Sequence, residues 1–388
     1  MSAKRQDAAS TWTTLQKING TVVTMQKTIT FGEIMGRLCP PGFERFGQAM
    51  PGHLGITFAG AEANVAVSIC HLGGRAAFVS ALPRHAVADA CVADLRRYGV
   101  DVSGIQRTDQ GRLGLYFVER GANQRPSRVI YDRDQASVAL APPDSYPWED
   151  LFADAGWFHF TGITPALSAN AADCCLAAVK AARAKGLTVS CDLNFREKLW
   201  SWKAGATPRD LAEETMRTLL PHVDVVIANE ADASDVLGIR AGGSEVEKGE
   251  LDLERYPEVA SRIIDDFPNV KQVAITLRES VSASHNNWGA MLFDAKNEKA
   301  CFAPVDADGT YRPYEIRQIV DRVGAGDSFA ASLIFALQTP EHGSPKNAVA
   351  FAAAASCLAH SIEGDFNLNR RAEIESLLSG NASGRVVR

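Results

Sequence analysis

Asp321-Arg322-Val323-Gly324-Ala325-Gly326-Asp327-Ser328-Phe329 is the stretch that decides how this chain is read. It follows an extended run, Ile316-Arg317-Gln318-Ile319-Val320. It opens onto Phe329-Ala330-Ala331-Ser332-Leu333-Ile334-Phe335-Ala336-Leu337, which is apolar almost all round. The pattern predicts strand, glycine turn, buried helix. Glycines permit a tight turn with bare N–H groups at a helix start, a place that attracts anions and phosphate above all. An acidic residue is a poor neighbour for a bound anion, so Asp327 in the first helical turn needs a reason. One reason is chemical: a carboxylate that takes a proton from a hydroxyl as that oxygen attacks a phosphoryl group. The other is an ordinary N-cap, the commoner role for an isolated Gly-x-Gly-Asp.

Working outward, strand-like and helix-like runs alternate. Lys27–Met35 predicts the first strand; Ala76–Ser80, Trp157–Phe160, Leu187–Cys191, Val223–Ala228 and Gln272–Thr276 predict others. Helices are predicted over Ala61–Leu72, Ala86–Tyr98, Ala169–Lys185, Leu211–Leu220, Val259–Phe267 and Ala348–Ile362. Strands followed by helices of this length argue for a parallel sheet covered on both faces. Two segments break the rhythm. Residues 37–58 are rich in Pro, Gly and Phe, and residues 113–133 alternate around Gly121-Ala122-Asn123-Gln124-Arg125-Pro126, a hairpin signature. They predict a small antiparallel sheet beside the main one. Residues 1–26 are polar and aperiodic and read as a disordered leader; 240–254 read as a solvated surface loop and 381–388 as a tail.

Bulk properties narrow the function. The chain has 388 residues, is 46% hydrophobic and 22% charged, and carries a net charge of −6. No Lys/Arg block marks a nucleic-acid or membrane surface, and no apolar run is long enough to span a bilayer. An anionic substrate must therefore be met by a few local arginines. The eight cysteines are scattered with no Cys-x-x-Cys pair, which suits a reducing cytoplasm and no zinc site. His159 and His360 lie in apolar runs and read as core or strand-end residues. No P-loop signature is present, so a P-loop kinase is excluded.

The Asp321-x-x-Gly324-Ala325-Gly326-Asp327 turn resembles the C-terminal signature of the ribokinase-like (PfkB) carbohydrate kinases. Gly60-Ala61-Glu62-Ala63-Asn64-Val65-Ala66, running on to Leu72-Gly73-Gly74, resembles the same family's N-terminal signature. Two motifs in this order reverse the capping reading of Asp327. Pro40-Pro41-Gly42-Phe43-Glu44-Arg45-Phe46, Phe158–Thr164, Asp192–Arg196, Thr276–Ser280 and Gly364–Asn367 resemble more narrowly the 2-keto-3-deoxygluconate kinases.

The resemblance implies a ribokinase-like three-layer α/β/α sandwich over 27–380, with the small sheet as a lid over the sugar. It implies ATP-dependent phosphorylation of the terminal hydroxyl of 2-keto-3-deoxygluconate. Fructokinase, ribokinase or another PfkB sugar kinase is the alternative, and a non-catalytic sugar or nucleotide sensor is the reading from another class. A homo-oligomer, ATP and Mg2+ are also expected. Asp327 would be the base, with the N–H groups of Gly324, Ala325, Gly326 and Asp327 as an anion hole. Gly60, Ala61 and Asn64 would meet the sugar, with Tyr116 and Asp365 on the lid side. Arg196 would clamp a carboxylate or the transferring phosphate, with Arg133 or Arg125 of the lid hairpin as alternatives. Asn194, Arg196, Asn229, Thr276, Arg278 and Ser280, with Gly324 and Gly326, would hold the nucleotide. Asp232, where the family pattern has Glu, would touch magnesium through water. Asp321 would bind a monovalent cation or brace the turn, bracing being the preferred reading.

Overall fold

The computed structural model describes residues 16–18, 21–23, 25–229, 231–239 and 253–381. The strands after the leader are β1 (Lys27–Phe31), β2 (Met35–Cys39), β3 (Gly55–Ala59), β4 (Ala76–Pro83), β5 (Ile105–Thr108), β6 (Leu115–Glu119) and β7 (Arg128–Asp132). They continue with β8 (Ala155–Thr161), β9 (Thr188–Asp192), β10 (Val225–Ala228), β11 (Gln272–Ser282), β12 (His285–Asp294), β13 (Lys299–Ala303) and β14 (Tyr314–Ile316). A ten-stranded sheet runs β13-β12-β11-β10-β9-β8-β1-β4-β5, with β14 also on β12. From β11 to β5 every pairing is parallel, and β12, β13 and β14 add an antiparallel margin.

Burial explains the continuous apolar strands. All eight residues of β4 are buried, as a parallel strand covered on both faces requires. One face carries Ala169–Ala184, Pro208–Leu219 and Arg255–Asp266; the other carries Ala61–His71, Ala86–Arg97, Ala325–Leu337 and Pro345–Ala359. The result is three layers with one core on each side of the sheet. Helix starts follow their capping residues. Ser168, Thr207 and Ser344 each accept a backbone N–H from the first turn, and Pro208 and Pro345 open two of these helices.

Three elements depart from the sequence reading. The first strand does not run to Met35. It breaks after Phe31, and the chain crosses from the main sheet into the lid. Gly32 makes the crossing possible, because a Cβ there would collide with the Glu62 carboxylate. The run Ile316–Val320 is not a strand; β14 ends at Ile316, and Ile319 and Val320 are held only by single N–H bonds to Ser284 and His360. The strand from Gln272 does not stop at Thr276. It continues to Ser282 and turns back as β12, forming a long antiparallel hairpin.

The lid is a four-stranded sheet, β3-β2-β6-β7, whose two outer pairings are antiparallel and whose central β2/β6 pairing is parallel. The parallel pair arises because β2 and β6 both enter from the main body. Part of the leader is ordered: Gln16–Ile18 and Thr21–Val23 pair as an antiparallel hairpin, where the sequence suggested no structure. Residues 240–252 of the expected surface loop and 382–388 of the tail lie outside the described residues.

The hairpin strands pair with each other, whereas Met25 packs on the core. A chain starting at Met25 is therefore expected to melt within about 2 °C of the full chain, the shift of under about 1 kcal/mol in a domain this size. Scanning calorimetry checks this, and a much larger fall would show that the leader is docked.

Candidate active site

The carboxyl ends of the parallel strands, the Gly-Ala-Gly-Asp turn and the lid enclose a cavity of about 410 Å³. Ligands bind at this edge in open α/β sheets. The helix Ala325–Leu337 starts from Gly324, whose φ of +86° only glycine adopts readily. The backbone of Asp365 also fills the place where a Cβ of Gly324 would stand. Gly326 is different: a Cβ there meets no protein atom within 4 Å, so protein packing alone does not demand glycine.

Asp327 is in the first helical turn but is not the cap. Its Oδ2 accepts a hydrogen bond from Asn64 Nδ2 at 2.6 Å, across the cavity floor from the start of the helix Ala61–His71. Burial raises the Asp327 pKa; the Asn64 hydrogen bond opposes it, Asp365 and Glu62 add to it, and Arg196 lowers it. The balance is about 7. A carboxyl poised there can accept a proton near neutral pH. The free N–H groups of the same helical turn lie beside it and can take developing negative charge.

Asn64 thus serves Asp327 more directly than a sugar, while its Oδ1 accepts the Gly60 N–H at 3.2 Å. Gly60 lines the cavity, yet what demands glycine there is the Glu33 carbonyl, which a Cβ would strike. Ala61 also lines the cavity. Glu62 is buried among Thr161 and Thr164, whose hydroxyls donate to it at 2.8 and 2.7 Å, and so ties this helix to β8.

The strand ends supply further carboxylates. Asp192 at the end of β9 has a pKa well above the usual range, through burial first and then the nearby Asp232 and Asp327. Asn194, held at a left-handed φ of +37°, donates its N–H to Asp192. Asp232 does not present free oxygens. Its Oδ1 accepts the Phe195 N–H at 3.1 Å and its Oδ2 the Asn229 N–H at 3.0 Å, so it braces two strand-end loops and is not positioned as a direct ligand. Among the described residues no group of three His, Cys, Asp or Glu side chains could hold a metal.

Of the expected nucleotide residues, Asn194, Arg196, Asn229, Thr276 and Arg278 line the cavity. Ser280 does not; it is exposed in the β11/β12 hairpin, opposite Asn286. Arg196 lines the cavity with one N–H donated to the Phe195 carbonyl at 2.8 Å and no carboxylate at salt-bridge distance among the described residues. Arg133 also lines it, but is paired with buried Glu33. Arg125 is outside the cavity, bound to Glu119 and to the Phe43 carbonyl. Tyr116 donates its hydroxyl to Asp365 Oδ2 at 2.7 Å and stacks on Tyr131, so both Tyr116 and Asp365 are engaged inside the protein. His159 is a core residue, its pKa pushed down to about 3 by burial. His360 is buried too, but it borders the cavity.

Sequence reading missed Glu33, Arg37, Asp192 and Tyr131. A signal existed for the first two: Glu33 and Arg37 are isolated charges in the otherwise apolar run Ile29–Cys39.

Comparison with known proteins bears on this geometry. The model of the pfkB family carbohydrate kinases matches residues 25–277 and 289–369. The chain belongs to this family. As a sugar kinase, it transfers a phosphoryl group to a sugar hydroxyl. The residues left unmatched, 278–288, fall on the β11/β12 hairpin. The chain is 33% identical to a 2-dehydro-3-deoxygalactonokinase of Haloferax volcanii over 92% of this chain and 98% of the relative. It is 27% identical to a 2-dehydro-3-deoxygluconokinase of Bacillus subtilis over 79% and 81%. The crystal structure of 2-dehydro-3-deoxygluconokinase from Thermotoga maritima superposes with a TM-score of 0.81 at 42% identity, covering 92% of this chain and 98% of that one. The ribokinase-like fold is thereby established. No described helix is long and apolar enough to cross a membrane, and all eight cysteines are unpaired.

The pKa of Asp327 gives a pH profile. A base must be ionised, so kcat/KM is expected to rise with pH through about 7 and level off above. Asn64→Ala removes the bond that lowers this pKa and should move the rise to higher pH. Asp327→Asn should lower kcat by about 100-fold or more while the fold persists. Steady-state rates from pH 5.5 to 9, roughly the span in which such a group titrates, check all three; a flat profile for the unmodified chain would exclude Asp327 as the base.

Proposed function

We propose that the chain phosphorylates the terminal hydroxyl of a 2-keto-3-deoxy sugar acid, 2-keto-3-deoxygluconate in the first instance, with ATP as donor. The observation that carries the sugar-acid reading is Arg196, a guanidinium on the cavity lining beside Asp192, with no carboxylate partner at salt-bridge distance among the described residues. The net charge of −6 disfavours an anionic substrate at long range, so a local cation must offset it. Relatives named for both 2-dehydro-3-deoxygluconate and 2-dehydro-3-deoxygalactonate support the compound class; the two acids differ in configuration at C4.

In this reading the sugar's terminal hydroxyl lies against Asp327. The carboxylate accepts the hydroxyl proton as the oxygen attacks the γ-phosphorus and the bond to the β,γ-bridging oxygen breaks. The N–H groups of Gly324 to Asp327 meet the charge on the transferring group, and the open space beside Gly326 lets a phosphate come close to the backbone. Asn64 holds Asp327 in place. Gly60 and Ala61 border the sugar, and Asn194, Asn229, Thr276 and Arg278 border the nucleotide.

Magnesium would enter on the ATP phosphates, because the described residues alone build no cage for it. Asp192, destabilised by burial and by the neighbouring Asp232 and Asp327, fits a water-mediated role, and Asp232 could share it through its remaining lone pairs. When bound, the ion supplies neutralisation of phosphate charge.

A reducing, cytoplasmic setting suits the eight unpaired thiols. Self-association through the lid is supported by its outer face. Ile56, Leu38, Phe117 and Ile130 stand in one cross-strand row there, and Ile56 and Ile130 are each 53% exposed.

Phosphorylation of 2-keto-3-deoxygluconate, 2-keto-3-deoxygalactonate, fructose and ribose tests the assignment. The sugar acids are expected to be turned over with the highest kcat/KM. Arg196→Ala should lower their kcat/KM by about tenfold, the worth of one charge-assisted hydrogen bond, and lower that of neutral ketoses much less. Equal losses would put Arg196 on the phosphates, and faster turnover of fructose or ribose by the unmodified chain would make it a neutral-sugar kinase.

A further inference from the structure

Arg37 is the most thoroughly buried arginine among the described residues, 2% exposed, and it is not among the residues that line the cavity. It stands on β2 in the cross-strand row with Thr57 and Tyr116. Its guanidinium joins two loops of the main body: Nη2 donates to Asp321 Oδ2 and Nη1 to Asp365 Oδ1. Burial opposes its charge, but Asp365 and Asp321 outweigh that cost and hold it cationic.

Asp321 is saturated by this arrangement. Besides Arg37, it accepts the N–H groups of Arg322 at 2.9 Å and Val323 at 3.2 Å on Oδ1, and that of Gly364 at 3.3 Å on Oδ2. A carboxylate has about four lone-pair positions, and four donors occupy them. No oxygen of Asp321 remains for a metal ion. The position where the family resemblance implies a monovalent cation or a brace therefore does not fit the cation. The positive charge is covalently part of the chain.

The consequence reaches the catalytic turn. Asp321 orients the two residues that lead into Gly324, and Gly324 packs against the backbone of Asp365. Both aspartates are fixed by the same guanidinium, and Tyr116 of the lid steadies Asp365 from its other oxygen. The fork geometry of a guanidinium suits this task; an ammonium is a point charge that cannot bridge two carboxylates with the same alignment.

We propose that Arg37 is a positioning residue for phosphoryl transfer, a built-in cation that aligns the Asp321–Asp327 turn from the lid and makes the enzyme independent of monovalent metal ions. The proposal rests on the sugar-kinase activity but not on the identity of the sugar, so the test uses whichever acceptor the unmodified chain turns over fastest.

The first measurement compares rates of the full chain with Mg-ATP in choline, sodium and potassium salts at equal ionic strength. Equal rates are expected, with equal melting temperatures; a potassium requirement would overturn the proposal. In the second, Arg37→Ala should lower kcat by about 100-fold, as misalignment of a reacting geometry does, with little change in KM for ATP. Added guanidinium should then recover about tenfold, the worth of one charge-assisted hydrogen bond. A purely structural role predicts loss of folded protein and no rescue of the folded fraction. Should Arg37→Ala fail to fold, Arg37→Lys carries the comparison: a fall in kcat at constant KM for ATP supports the proposal, and unchanged kcat refutes it.

Discussion

A single hydrogen bond, from Asn64 Nδ2 to Asp327 Oδ2, joins the two helix starts that face each other across the cavity. One helix belongs to the N-terminal signature and the other to the C-terminal one. Burying an acid at a helix start is unfavourable for the acid unless something donates to it. Asn64 is that donor, and its own orientation is set by the Gly60 N–H. Gly60 is in turn fixed by the carbonyl of Glu33. The position of Asp327 is thus traced, contact by contact, to the place where the first strand leaves the main sheet.

The same edge of the sheet concentrates negative charge. Glu62, Asp192, Asp232 and Asp327 are all buried or nearly so, and burial raises the pKa of each. Two devices keep this tolerable. Glu62 and Asp232 are surrounded by hydroxyl and backbone N–H donors, which settle a carboxyl without spending a cation on it. Asp321 and Asp365 share one guanidinium. Among the described residues Arg196 has no carboxylate at salt-bridge distance, in keeping with a role toward something outside the protein.

Much of this was legible in the chain. The parallel sheet, its covering helices and the lid segments follow from apolar runs and turn residues. The two glycine motifs locate Asp327 and its partner helix because their turn chemistry is local. What the sequence hid was pairing between distant residues. Tyr116 and Asp365 both line the cavity, as their motifs suggest, but that they are bonded to each other is a pairing no local pattern announces. Asp232 has the residue type expected of a contact to magnesium through water, but its second task, accepting the Phe195 and Asn229 N–H groups, is not written in its neighbours in sequence. Ser280 follows a predicted strand end, but the strand continues because β12 pairs with it, a tertiary event that no local pattern announces. The break at Gly32 was equally invisible, since Lys27–Met35 is a good strand sequence throughout and the obstacle is a carboxylate thirty residues away in the fold's other signature.

That break has a mechanical consequence. Only Gly32, Glu33 and Ile34 separate β1, in the middle of the main sheet, from β2, in the middle of the lid. Three residues reach at most about 10 Å. The lid therefore cannot detach or slide; its root is tethered to the central strand, and any opening is a rotation about that short link. Gly60 alone joins the neighbouring strand β3 to the helix Ala61–His71, so the paired root ends Met35 and Ala59 barely travel, while the far ends Cys39 and Gly55 sweep the wider arc. The flap is a lever whose fulcrum sits beside the reacting atoms.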